Sequence, residues 1–232
     1  MNDRTLLLPG ALAPAGVATA LGASLHAPRL AALLAARPRP RVTPAPSACT
    51  GASHLAAVAQ LMGRSAQPHP AWAPEHWLAL AAATEQASVP AWVAYATPVH
   101  LRVGPDHVAL LPLDSDPLES AECGQLLELA QAAAHRHGEG WRFWAMDGHW
   151  WVGAPADPQL ACVPLDAVVG QRVQRLLPSG PGLRVWRRLA QEVELAWHEG
   201  QACAARQARA GLMPNALWLH GGAALAASRP PQ

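Results

Sequence analysis

His100 and Arg102 stand two residues apart in a run of strand-forming residues, so their side chains leave one face of the strand, with His107 across the turn at Gly104-Pro105-Asp106. Imidazole and guanidinium on one face suit an anion, or a metal ion if a carboxylate stands near. Without that carboxylate the pair equally fits an exposed sheet face. A second set lies towards the C-terminus. Arg206 and Arg209 share one side of a short helix, and Asn215 and His220-Gly221-Gly222 follow within reach of its end. Forked guanidinium donors and glycine amides match a small phosphorylated or carboxylated ligand. Against that chemistry, the C-terminal end of a helix dipole disfavours anions, and the same arginines suit bridges to Glu192, Glu194 or Glu199 with Asn215 capping a turn. Asp114-Ser115-Asp116 places three polar residues ahead of a helix, a pattern of turn and cap more than of catalysis.

Several mechanisms fall away on composition. All 17 basic residues are arginine, so no Schiff-base lysine and no phosphate-loop lysine exists. The formal net charge is +1, which gives no long-range field for nucleic acid or an anionic membrane. Cys49, Cys123, Cys162 and Cys203 are far apart with no C-x-x-C pair, the spacing of reduced thiols. No catalytic set and no metal set can be assembled, and no cofactor is implied. Arg4 ahead of the apolar stretch from Thr5 to Leu25 has the outline of an export signal. Pro9, Gly10, Pro14 and Gly16 interrupt it and Asp3 offsets Arg4, so a cytoplasmic location is expected. No apolar run is long enough to span a bilayer, and no membrane or nucleic-acid partner is expected.

The elements that must position these residues can be read from spacing. Thr5 to Leu8 reads as a short strand and Ala27 to Ala36 as a helix. The prolines of residues 37–52 then make an extended Pro/Arg-rich linker. Helices are predicted over Ser53 to Met62 and Pro74 to Ala83, and strands over Trp92 to Tyr95, Val99 to Val103 and Val108 to Leu111. Asp116-Pro117-Leu118-Glu119 has the form of an N-cap, a first-turn proline and a capping-box carboxylate, opening a helix that Gly138 stops. Trp141 to Met146 and His149 to Val152 flank Asp147-Gly148, which takes the positive φ angles of a tight hairpin turn. Trp141, Phe143, Trp144, Trp150 and Trp151 fall on both faces of that hairpin, which fits either cover on both sides or one aromatic face open to a ligand.

The spacing of Trp186, Leu189, Ala190, Val193 and Trp197 marks an amphipathic helix, followed by a second over Ala202 to Ala210. Ala216 to Leu219 reads as a strand opening into a His220-Gly221-Gly222 loop and then a loose tail. The expectation is an α+β fold, a small mixed or antiparallel sheet with hairpins packed against several helices. Its parts are an N-terminal strand and helix (1–36), the linker (37–52), the main domain (53–222) and the tail (223–232).

The run from Gln191 to His198, then Arg206-Gln207-Ala208-Arg209, then Pro214-Asn215-Ala216-Leu217-Trp218-Leu219-His220-Gly221-Gly222 resembles the C-terminal signature of the RpfE-type bacterial regulatory proteins. Thr97-Pro98-Val99-His100-Leu101 and Leu177-Pro178-Ser179-Gly180 carry the same resemblance, which spans about Trp92 to Gly222. That family is similar to part of the archaeal type of cofactor-independent phosphoglycerate mutase, in which an asparagine, a tryptophan and a glycine recur near the equivalent strand and loop. The resemblance therefore implies Asn215, Trp218 and the glycines Gly221 and Gly222 as ligand-side positions. It does not extend to the mutase metal core, because Leu8-Pro9-Gly10 stands where an Asp-Gly ligand would be, and proline cannot coordinate a cation. Within the signature, His220 replaces a tryptophan, Cys203 an asparagine and Ala210 a glycine. The resemblance implies a non-catalytic regulatory or binding protein, with a small anionic ligand or a protein as its partner. The rival expectations are a mutase-like phosphoryl-transfer enzyme and a protein-interaction subunit.

Overall fold

The structure, a computed structural model, describes residues 28–29, 32, 53–62, 71–84, 89–169, 171–200 and 203–228. Contacts divide the chain into two units, Met1–Pro68 and His69–Gln232. The expected strand over Thr5 to Leu8 and the Pro/Arg-rich linker lie outside the described residues. Of the helix expected over Ala27 to Ala36, Pro28, Arg29 and Ala32 are described, and all three are helical. In the first unit, helix α1 runs over Ser53–Leu61.

The second unit is α+β, a five-stranded antiparallel sheet packed with helices. Its first helix, α2 (Ala73–Thr84), is followed by the central strand β1 (Trp92–Val103). Strand β1 is continuous where two strands were expected. Its pairing with strand β4 (His149–Ala154) ends at Tyr95, so Pro98 lies beyond that ladder and its missing N–H removes no bond from it. On its other side β1 pairs with β5 (Ala216–Ala224), and its last residues, His100 to Val103, pair with β2 (Val108–Leu111). Strand β3 (Arg142–Met146) pairs with β4 through the expected hairpin, with Met146 opposite His149 and φ of 50° at Asp147 and 71° at Gly148. Two positive φ values match the right-handed twist of the paired strands. The Gln131 side-chain oxygen accepts from the Phe143 backbone N–H at 2.8 Å.

Alternation along the strands splits the aromatic residues between two cores. Trp92, Ala94, Ala96, Phe143, Trp150, Val152, Leu217 and Leu219 face helices α3 (Ser120–His137) and α5 (Leu183–Glu199). Val93, Trp151, Trp144 and Met146 face α2 and the 3-10 turn Leu225–Ser228. The hairpin is thus covered on both sides, with Trp150 and Trp151 buried and Trp144 partly buried against the second core. Each of the α5 residues chosen by helical spacing is buried: Trp186, Leu189, Ala190, Val193 and Trp197. The Trp197 indole N–H donates to the Leu126 carbonyl at 2.9 Å and ties α5 to α3.

Three expected boundaries are corrected. Helix α3 starts at Ser120 with Glu119 as its N-cap, and the capping box closes with Glu122. Asp116 and Pro117 lie ahead of it, because the Asp116 carboxylate is held by Arg206 and the Leu212 N–H. The second C-terminal helix is short, α6 (Ala204–Ala208). A four-residue helix, α4 (Leu165–Val168), lies between β4 and α5 in the chain. His220-Gly221-Gly222 is no loop. It lies inside β5, which continues to Ala224 and into the Leu225–Ser228 turn, so residues 223–228 are in regular structure and Leu225 is buried. Residues 229–232 lie outside the described residues. Gly221 (φ 64°) and Gly222 form a bulge opposite Ala94, since Val93 pairs with Ala223 and Tyr95 with His220. A Cβ on Gly222 would collide with the Trp92 ring and come within 2.8 Å of the Ala94 methyl, which is why glycine is needed there.

Candidate functional site

The expected anion site at Arg206 is an ionic clamp already closed by the protein itself. Arg206 is fully buried. Its Nε donates to both Glu122 oxygens at 3.2 Å. Nη1 donates to the Asp116 carboxylate at 2.6 Å and to the Asp116 and Leu212 carbonyls at 2.9 and 3.2 Å. Nη2 donates to Glu122 at 2.8 Å and to the Pro117 carbonyl at 2.6 Å. All three nitrogens are engaged, so no donor remains for a ligand. Burial pushes Glu122 upward, but the Arg206 hydrogen bond, the Glu119 N–H and the charges of Arg206 and Arg209 outweigh it and hold the carboxyl below its usual range.

Arg209 is partly exposed and closes the same network from outside. It lies 3.3 Å from Glu122, 3.5 Å from Glu119 and 3.8 Å from Asp116. Two guanidinium groups face three carboxylates, so the cluster carries no positive excess to attract phosphate or carboxylate. The partners are acids around the start of α3, and neither the anion reading nor the expected bridges to Glu192, Glu194 or Glu199 describes them. Sequence distance hid this pairing, since Arg206 lies 84 residues from Glu122.

Three other expected positions, His100, Asn215 and Trp218, also bind the chain to itself. His100 Nδ1 lies 2.7 Å from the Met213 carbonyl. The Asn215 side chain pairs with both backbone groups of Leu101, accepting at 2.6 Å and donating at 3.0 Å, and so acts as an extra rung beside β1. The Trp218 indole N–H donates to the Val163 carbonyl at 2.9 Å in the core. Arg102 and His107 are exposed. Gly221 and Gly222 make the bulge in β5 opposite Ala94. Among the expected residues only His220 joins a different kind of site.

That site is a cluster of imidazoles around Tyr95, on the α2 side of the sheet. His220 stacks on Tyr95 with ring centroids 5.0 Å apart, and its Nε2 lies 3.0 Å from the Thr97 hydroxyl. His76 of α2 reaches down to the Tyr95 hydroxyl through Nδ1 at 2.9 Å, while its Nε2 lies 3.4 Å from the Asp147 carboxylate. His149 sits 5.3 Å from His76 and 5.4 Å from Tyr95, ring to ring, and Trp151 floors the group at 4.6 Å from Tyr95. Burial, and then the His149 charge, push His220 down to about 4. Burial first, then His76, hold His149 below the ordinary imidazole range against the upward pull of Asp147. Burial pushes the Tyr95 phenol up to about 12, so it stays neutral and serves as a hydrogen-bonding hub rather than a base.

Sequence reasoning missed His76, Tyr95 and His149 because they come from three elements with no shared spacing. Only the two-residue step from Tyr95 to Thr97, on one face of a strand that pairs with His220, could have pointed to them. Among the described residues, no group of three or more His, Cys, Asp or Glu side chains is arranged to hold a metal ion. Among the described residues, too, no helix is long and apolar enough to cross a membrane. No family model matches the chain, and neither a curated protein nor a solved structure matches it.

Proposed function

We propose that this chain is a non-catalytic regulatory or binding protein of the RpfE type. The observation that carries the reading is what its signature residues do. Arg206, Asn215, Trp218 and Gly222 all serve internal contacts, as an ion pair, a side-chain rung, a core hydrogen bond and a bulge. Gly180 in the Leu177-Pro178-Ser179-Gly180 turn does likewise, since a Cβ there would run into the Gln159 carbonyl and its φ is 123°. A signature made of architectural residues preserves a fold, and whatever binds must then use surfaces outside the clamp.

The test is turnover and ligand binding measured side by side. Purified protein with 3-phosphoglycerate and Mn²⁺ should release no phosphate and form no 2-phosphoglycerate above the blank. Product that co-elutes with the protein through two different columns overturns the reading in favour of a mutase-like enzyme. A melting midpoint raised by 3-phosphoglycerate without turnover identifies a small-anion-binding form of the same proposal, since a ligand stabilises by mass action.

A further inference from the structure

The strongest feature outside the clamp is the way α2 is held on the sheet. Its contact with the strands below combines Trp77, which is fully buried between Trp144 and Trp151, with the imidazole cluster at its first turn. Gly221 lies directly beneath that turn, with its Cβ position 3.7 Å from the Ala73 backbone nitrogen. His76, Tyr95 and His220 thus form a continuous stack from α2 through β1 to β5.

We propose that this stack is an acid-operated latch: uptake of protons by His149 and His220 releases α2 from the sheet and uncovers the Trp77, Trp144 and Trp151 surface. The proposal is independent of whether the protein binds a small anion.

The charge balance of the cluster favours this behaviour. The titratable groups facing it are His76 from α2, Tyr95 from β1, His149 from β4, His220 from β5 and Asp147 from the hairpin turn. Glu75 precedes His76 on α2, Arg142 lies on the same face of β3 at the end remote from the turn, and the 3-10 turn Leu225–Ser228 brings no ionisable side chain. Asp147 can compensate one imidazolium. His76 and His149 lie 5.3 Å apart, ring to ring, so two imidazolium groups there repel, and a charged His149 also disfavours a charge on His220. The charged form of His220 is better hydrated once α2 lifts from the face it occupies, and His149, which is exposed but lies beside His76, is relieved of that neighbour's charge by the same movement. A second observation points the same way. The Trp77 indole N–H is buried with no hydrogen-bond partner among the described residues, and release of α2 hydrates it.

The latch is tested by amide hydrogen exchange on the full chain, corrected for intrinsic rates, between pH 7 and pH 4.5. Amides of α2 should lose protection by up to about tenfold for each pH unit below the ordinary imidazole range, while those of α5 keep theirs. The double variant His149→Gln, His220→Gln should abolish the pH dependence in α2. Simultaneous loss of protection in α2 and α5, or an unchanged α2 response in the double variant, overturns the proposal. If the double variant does not fold, imidazole titration of the wild-type protein by NMR decides. Charging of His220 together with loss of α2 protection supports the latch. Charging of His220 with α2 still protected, or a neutral His220 and a protected α2 down to pH 4.5, overturns it.

Discussion

The ionic clamp at Arg206 and the imidazole cluster at Tyr95 are both polar groups gathered from distant segments, on opposite faces of one unit, and they are held in opposite ways. In the clamp, opposite charges satisfy one another, and carbonyls take the donors that remain. In the cluster, rings satisfy one another by stacking and single hydrogen bonds, and the Asp147 carboxylate lies 3.4 Å from His76. A buried charge with its counter-charges present is fixed over a wide pH range. A buried neutral base is stable only while protons are scarce. The difference separates a structural cross-link from a responsive surface.

The largest way to break the comparison is Arg206→Met. It leaves Glu122 buried without its principal partner and frees the Asp116 carboxylate, so the loss should be about 3–5 kcal/mol, read as a lower urea midpoint at pH 7. If Arg206 instead served a ligand, the unliganded protein would keep its stability and lose only binding. Arg206→Lys should recover part of the loss at most, because one ammonium cannot span Glu122 and Asp116 as the guanidinium fork does.

Acid sharpens the contrast. His220 is held at about 4 in the fold against the ordinary 6.5, so the unfolded chain takes up its proton first as pH falls. Its contribution is therefore complete above pH 6.5 and is lost as pH drops towards 4, up to about 3 kcal/mol. Glu122 is held below its ordinary 4.5, so the clamp's contribution is present above 4.5 and is lost only at lower pH. Denaturation curves from pH 7 to 4.5 should fall along the imidazole window, and His220→Gln should flatten them. Glu194, raised by burial, acts in the opposite direction over part of that range, and a Glu194→Gln background removes its effect.

These two regions also show what could be read from the chain alone. Helical spacing identified every buried residue of α5, and Asp147-Gly148 located the hairpin, because both signals are local and each is complete within a few residues. The start of α3 was misread because Asp116 has the chemistry of a cap but is taken by an arginine 90 residues on. The glycines after His220 were misread for a related reason. A loop and a bulge use the same positive φ, and only the register against Ala94 separates them. The imidazole cluster exists only once α2, β1, β4 and β5 are assembled, so no window of sequence contains it.

Gly222→Ala tests the support beneath the cluster. The added methyl meets the Trp92 ring and Ala94, both in the central strand, and neither is a flexible chain end. Overpacking of this kind should cost about 1–3 kcal/mol in urea denaturation. It should also disturb the stacking of His220 on Tyr95, visible as a shifted His220 imidazole resonance, while the Arg206 network is unaffected.

The smallest effect is expected at Arg209, three residues from Arg206. Both arginines have acidic partners within 4 Å, yet the Arg209 side chain is 39% exposed and Arg206 has no exposure. Water screens the outer pair and hydrates either partner when the other is removed, so Arg209→Gln should cost less than about 1 kcal/mol. Glu122 keeps its Arg206 bonds in that variant and stays buried with a counter-charge. The loss should shrink further in 1 M NaCl, where the Debye length is about 3 Å, whereas the cost of Arg206→Met should persist because salt does not reach the buried carboxylate. A cost at Arg209 approaching that at Arg206 would mean that the clamp works as one extended network and that burial does not set its worth.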